Sequence, residues 1–227
     1  MTRRFLARTA LAALVLSAFA ACAASPAPTP PPTSSPSPTP SVTPTPSPEP
    51  PVAAAIVVST EHLEVVDDDG AVVASYDYFQ PTAEVVDGLT AYLGEPVDTE
   101  FEGYKEAPPS TYHDWGGLRL IDTEPPASPP ATPEHWVRIT GPDANGVALR
   151  AFDGSAVGGP ITAVEGEISD STNASTTGIV YRMVRIGIVP IESTPNEGDR
   201  NFAVAIDGPL EADVIESMHA PSANFGP

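Results

Sequence analysis

The sequence predicts an α+β fold dominated by antiparallel sheet, with one firm helix, arranged as two tandem small sub-units or as one continuous sheet, the former favoured. Three observations lead there. Short runs in which apolar and polar residues alternate recur through residues 52–227, the pattern of strands with one buried face. Asp-Gly and Asn-Gly steps punctuate them, and such steps supply the positive φ angles that tight hairpins need. One segment alone, Pro81 to Pro96, has apolar residues at firm helical spacing.

The chain begins differently. Arg3, Arg4 and Arg8 precede an apolar stretch from Ala10 to Ala21, and no acid occurs before Glu49. The stretch is about half of the roughly 20 residues a spanning helix requires, and it suits the core of a secretory signal. Residues 1–21 are therefore expected to be a removed export signal. Small residues at Ala18, Ala20 and Ala21 fit ordinary signal-peptidase cleavage. The run FAAC, Phe19 to Cys22, instead resembles the lipobox of bacterial lipoproteins, although Phe19 stands where leucine is more usual. That resemblance implies that Cys22 is lipidated and becomes the first residue of the mature chain. Cys22 is also the single cysteine, so an intramolecular disulfide has no second partner. Two acyl chains anchor stably where one does not, and the diacylglyceryl group implied by the resemblance carries two. The stretch TRRFLA is also loosely similar to a twin-arginine signal.

Residues 22–51 then read as a tether. From Pro26 to Pro51 there are 13 prolines in 26 residues, the rest being mostly Ser, Thr and Ala. Such a tract buries no core and favours extended polyproline II, reaching on the order of 80 Å at about 3.1 Å per residue. Together with the leader and the single lysine, Lys105, it resembles the lipoproteins of high-GC Gram-positive bacteria. That likeness covers residues 1–51 and implies an address on the outer face of the cytoplasmic membrane, projecting into the cell wall.

Within residues 52–122, VAAAIVVST reads as a first strand, and HLEVVDDDGAVVASYDY as a hairpin turning at Asp69-Gly70. In the helical segment, Val85, Val86, Leu89, Tyr92 and Leu93 share one side, Thr82 is expected to cap the start, and Gly94 with Pro96 ends it. The segment TEFEGYKEAPPSTYHDWGG, Thr99 to Gly117, reads as an aperiodic loop, and WGGLRLID as a strand. Five prolines within Thr123 to Glu134 mark residues 123–134 as a connection between halves.

Residues 135–227 read as strands at HWVRIT, VALRAF, GIVYRMVRIGIV, NFAVAID and EADVIESMH, with a short second helix at PITAVEGEI. The run Gly178 to Val189 is apolar on both faces and is expected at the centre of a sheet. Its Arg182 and Arg185 are expected to pair with carboxylates while their stems pack, or to clamp a ligand anion. The order strand, turn, strand, Asp-Gly, Pro, possible helix recurs in both halves, with unequal gaps between the Asp-Gly step and the proline. Tandem units of this kind look distantly like β-lactamase-inhibitor-type proteins and related small bacterial lipoproteins.

Charge narrows the partners. Without the three leader arginines, seven basic residues face 30 acids, a net of −23. A surface so acidic repels nucleic acids and anionic lipid headgroups, so no nucleic acid is expected as a partner. Catalytic motifs are missing. Ser155 in DGSAVGG lacks the spacing of a nucleophile elbow and reads as a turn serine. The histidines His62, His113, His135 and His219 are scattered, and DDDG departs from a calcium loop, with Val65 and Tyr76 where ligands belong. No catalytic residue, metal ligand or cofactor is therefore assigned. The most suggestive feature is the aromatic load of the aperiodic segment. Tyr104, Tyr112 and His113, with Trp115 beside the following strand, either meet a partner or plug a small core, Trp115 being the best core candidate. The sequence thus points to a membrane-anchored binding module of the cell envelope, contacting a protein, a wall component or a small ligand. A structural envelope protein without specific ligand, and an exported hydrolase with a site assembled from distant residues, are the alternatives.

Overall fold

The computed structural model describes residues 52–105, 108–123, 132–172, 179–191 and 200–224. The export signal, Cys22, the tether and most of the 123–134 connection lie outside the described residues. The described residues all belong to one unit.

The elements are β1 (Ala55–Val58), β2 (His62–Val66), β3 (Val72–Asp77), α1 (Thr82–Leu93), β4 (Val97–Phe101), β5 (Ser110–Asp114), β6 (Gly116–Thr123), β7 (His135–Ala144), β8 (Val147–Ala151), a 3-10 turn (Ile161–Ala163), β9 (Glu167–Thr172), β10 (Val180–Pro190), β11 (Asn201–Pro209) and β12 (Ser217–Asn224). Strands dominate and α1 is the one α-helix among the described residues, as an α+β chain rich in antiparallel sheet requires.

The 12 strands form one sheet, in the order β3-β2-β1-β8-β7-β12-β11-β10-β9, with β6, β5 and β4 continuing from β7. All pairs are antiparallel except β1 with β8. In place of two stacked sub-units, strands of both halves are thus hydrogen-bonded together: β1 lies on β8, and β6 on β7. The long strand β7 makes this possible, because its 135–139 stretch bonds β6 while its end bonds β8. The internal likeness of the halves also stops early. Pro81 leads into a helix of 12 residues, whereas Pro160 leads into a 3-residue turn followed by strand β9.

Local chemistry explains the turns. The Asp67 carboxylate accepts from the backbone N–H of Asp69 and of Ala71 at 3.0 and 2.8 Å, closing the DDDG hairpin. Asn145 and Gly146 both take positive φ between β7 and β8, the signature of a type I′ hairpin. The α1 helix buries Val85, Leu89 and Leu93, one stripe at helical spacing. Thr82 does not cap it: Pro81 occupies the cap position, and the Thr82 hydroxyl donates to Asp122 and to Glu134 O, tying the helix start to the sheet. At the other end Asn145 donates to Leu93 O at 2.7 Å and Trp115 Nε1 to Gly94 O at 2.8 Å. Those bonds satisfy carbonyls that a helix end leaves open.

One core joins α1 to Leu63 and Val65 of β2, Leu118 and Leu120 of β6, Val137 and Ile139 of β7, Val184 of β10 and Ile206 of β11. For β2 and β10 to share it, the sheet has to curl. The closure is visible where Thr60 donates its hydroxyl to Gly187 O and where Phe79 meets Phe202 edge-on at 5.9 Å. Strand β10 is not central. It lies one strand in from β9, and its apolar run breaks at a bulge between Ile186 and Val189. Gly187 sits in that bulge at φ +61°.

Candidate functional site

The site follows from strand register. Residues directly opposite in a sheet send their side chains to the same face. Asp114 of β5 faces Arg119 of β6, Arg119 faces Arg138 of β7, and Arg138 faces His219 of β12. His219 in turn faces Ala205 of β11, which faces Arg185 of β10, which faces Glu167 of β9. A single transverse row across seven strands therefore collects three of the seven basic residues that follow residue 21, and one histidine. The neighbouring positions on β6 and β7, Leu118, Leu120, Val137 and Ile139, point the other way, into the core. The row thus belongs to the outward face.

Two residues along each strand lies an apolar companion row, Tyr112 beside Ile121 and Ile121 beside Trp136. Trp136 is 49% exposed. Phe101 stacks on Tyr112 with ring centroids 5.9 Å apart and planes 12° from parallel. The Arg119 guanidinium lies 5.3 Å from the Tyr112 ring centre and donates to Asp114 Oδ2 at 2.6 and 2.9 Å. Toward the far edge the row is more enclosed. Arg185 is buried, reaching over β11 to donate to Ser222 O at 3.2 Å, with Glu167 at 3.9 Å.

Beside His219, the Ser217 hydroxyl donates to Asp207 Oδ2, and His219 Nε2 lies 3.2 Å from Ser217 Oγ and 3.5 Å from Asp207 Oδ2. Burial alone would push the Asp207 carboxyl up. The hydrogen bonds from His219 and Ser217, with the charges of His219 and Arg138, outweigh that and hold it below the usual carboxylate range. A serine, a histidine and an aspartate do meet here, yet the arrangement is no relay. In a hydrolytic triad the carboxylate orients one ring nitrogen while the hydroxyl bonds the other. Here both partners gather at Nε2, the serine proton goes to the carboxylate, and Ser217 is buried. These groups form a fixed polar cluster.

The four residues singled out from the sequence are separated. Their segment is no loop for most of its length but the hairpin β4–β5, whose alternation is masked because β4 exposes nearly every side chain. Tyr112 belongs to the outward face. His113, its neighbour, points to the opposite face, where Nδ1 meets Asp98 Oδ1 at 2.8 Å. Tyr104 is 69% exposed beyond β4, with Lys105 Nζ 5.0 Å from its ring centre. Trp115 is 1% exposed and belongs to the core. Arg182 pairs with Asp170 through two 2.9 Å bonds, and that hydrogen bonding, with the attraction of the arginine charge, holds the Asp170 carboxyl below its usual range. Ser155 bonds the Asp153 carboxylate within its own turn.

Arg119, Trp136, Arg138, Ser217 and His219 were not foreseen as a group. Their signal was present in pairs, since Trp136 and Arg138, like Ser217 and His219, are two apart in a strand. Only the register brings the pairs together. Elsewhere, a groove of about 320 Å³ lies at the sheet closure, lined by Thr60, His62, Asp77, Phe79 and Phe202 among others. The Thr60 hydroxyl there is engaged with Gly187 O. Among the described residues, no group of three or more His, Cys, Asp or Glu side chains is set to hold a metal ion, and no helix is long and apolar enough to cross a membrane. No protein-family model, no curated protein and no solved structure matches this chain.

Proposed function

We propose that this chain is a binding module of the cell envelope, anchored through a lipid on Cys22 and carried on the residue 22–51 tether. It works from the outer face of the cytoplasmic membrane. Its contact surface is the outward face of β5, β6, β7 and β12. One observation carries the reading: an exposed tryptophan and a tyrosine lie beside a row of guanidinium, carboxylate and imidazole groups on that face. Tryptophan, tyrosine and arginine are the side chains that concentrate binding energy at interfaces, the aromatic two because they bring large areas with few rotamers to freeze and arginine because its planar fork carries five donors. The single cysteine after an apolar leader supports the anchor. The polar cluster beside His219, with its serine buried and its hydroxyl committed to Asp207, favours recognition over hydrolysis.

The test has two arms in cells expressing the full chain. Radiolabelled fatty acid and membrane fractionation compare the wild type with Cys22→Ala. Cross-linking to envelope components compares the wild type with Trp136→Ala/Arg138→Ala. Label and membrane association are expected to disappear in the first variant, and cross-linked species in the second. An unlabelled wild type refutes the anchor, and cross-links unchanged by the double substitution refute the surface.

A further inference from the structure

We propose that the outward face binds a neutral, hydroxyl-rich saccharide chain laid across the strands. The inference rests on the binding-module reading and names its ligand class. From Asp114 on β5 to Asp207 on β11 the polar groups run across four strand spacings, about 19 Å. Along that span lie both donors and acceptors: Asp114, Arg119, Arg138, His219 and Asp207.

Charge decides between ligand classes. Arg119 is neutralised by Asp114 at 2.6 Å, and the Arg138 charge is felt by the Asp207 carboxylate. The strip is thus close to balanced, while the whole chain carries a net charge of −20. A polyanion meets repulsion from the chain and no compensating excess of positive charge on the strip. A polycation is drawn to the acidic surface at large and has no reason to choose this face. A hydroxyl both donates and accepts, so a polyol satisfies carboxylates and guanidiniums in the same row.

The apolar companion row supplies the rest. A pyranose ring has C–H-rich faces and a polar rim. Trp136 offers flat apolar surface two residues from the polar row, the spacing at which one ring can lie on indole and turn its rim toward Arg138. An outward sheet face covers only one side of its ligand. A ligand held this way gains by extending over several strands, as a glycan chain does.

The experiment uses the full-length mature protein in mild detergent, run on native gels cast with one polymer each: a neutral glucan, a neutral galactan, polygalacturonate or polyglutamate. Retardation by at least one neutral glycan is expected, unchanged in 0.5 M salt (about a 4–5 Å Debye length). It should weaken about tenfold or more in Trp136→Ala and also fall in Arg138→Ala. A buried-tryptophan emission from Trp115 that survives in both variants shows that they are folded. Retardation by polygalacturonate or polyglutamate alone, abolished by salt, overturns the proposal in favour of an anionic glycan or an acidic protein segment respectively. No retardation by any polymer also overturns it. In either case the cross-linking result stands apart: cross-links lost in Trp136→Ala/Arg138→Ala leave the binding surface intact, and cross-links kept remove it.

Discussion

Replacing His135 by phenylalanine should make this protein more resistant to acid. His135 opens β7 with 2% of its surface exposed, its ring 5.8 Å from that of Tyr78, and neither ring nitrogen has a hydrogen-bond partner among the described residues. Burial disfavours the imidazolium, and the nearby Asp77 carboxylate recovers only part of that cost, so the pKa falls from 6.5 to about 4. In the folded state the ring therefore stays neutral across a window in which the unfolded chain takes up a proton. Stability is fully present above pH 6.5 and is lost as the pH falls toward 4. At about 1.4 kcal/mol per pH unit the loss by pH 4 is about 3 kcal/mol, a large share of the roughly 5–15 kcal/mol that holds a typical domain. Urea unfolding of the wild type and His135→Phe from pH 7.5 to 4.5 measures it. The window stops above the range where Asp207, Asp170 and Asp213, all held low in the folded state, begin to contribute in the same direction. The wild type should lose stability steadily below pH 6.5. The variant should be nearly flat and at neutral pH at least as stable, because two orphaned polar atoms are gone. A flat wild-type profile, or an equal slope in the variant, would refute the reasoning.

Other substitutions probe the remaining claims. Gly187→Ala places a Cβ at φ +61° and within 2.9 Å of Phe152 and of the Thr60 hydroxyl, so about 2 kcal/mol or more of stability should be lost in urea titration. Gly88→Ala, which in an open helix would stabilise by about 1 kcal/mol, should give no gain, since the new methyl would run into the Tyr76 hydroxyl and ring. Unchanged or lower thermal stability is the expected readout. The two tryptophans should behave oppositely. Trp115→Phe forfeits the bond to Gly94 O and part of the core, costing about 2 kcal/mol, whereas Trp136→Ala should stay within about 0.5 kcal/mol of wild type. Acrylamide quenching should be lost in Trp136→Ala and retained in Trp115→Phe.

The features legible in the sequence are those written in near neighbours. The DDDG hairpin, the Val85–Leu89–Leu93 stripe, the alternation in HWVRIT and VALRAF, and the pairing of Arg182 with a carboxylate all emerge as expected. The misreadings share a cause. The strand character of β4 and β5 was hidden by exposure of β4, which removes the apolar half of the alternation. The PITAVEGEI segment holds only a 3-residue turn before β9. Thr82 has the chemistry of a cap, but Asp122 and Glu134, distant in sequence, compete for its hydroxyl.

The sequence by itself determined the class of fold, the positions of most turns, the balance of charge and the identity of the helix. Each of these depends on interactions within a few residues or on composition alone. Only the tertiary structure decided that both halves share one curled sheet, that Trp115 is core while Trp136 is surface, and that Arg119, Arg138 and His219 stand in one row. Those outcomes depend on strand order and register. A shift of one residue in any pairing would send every side chain of that strand to the other face, and the burial of the opposite face against α1 and its neighbours is what selects one register from the rest.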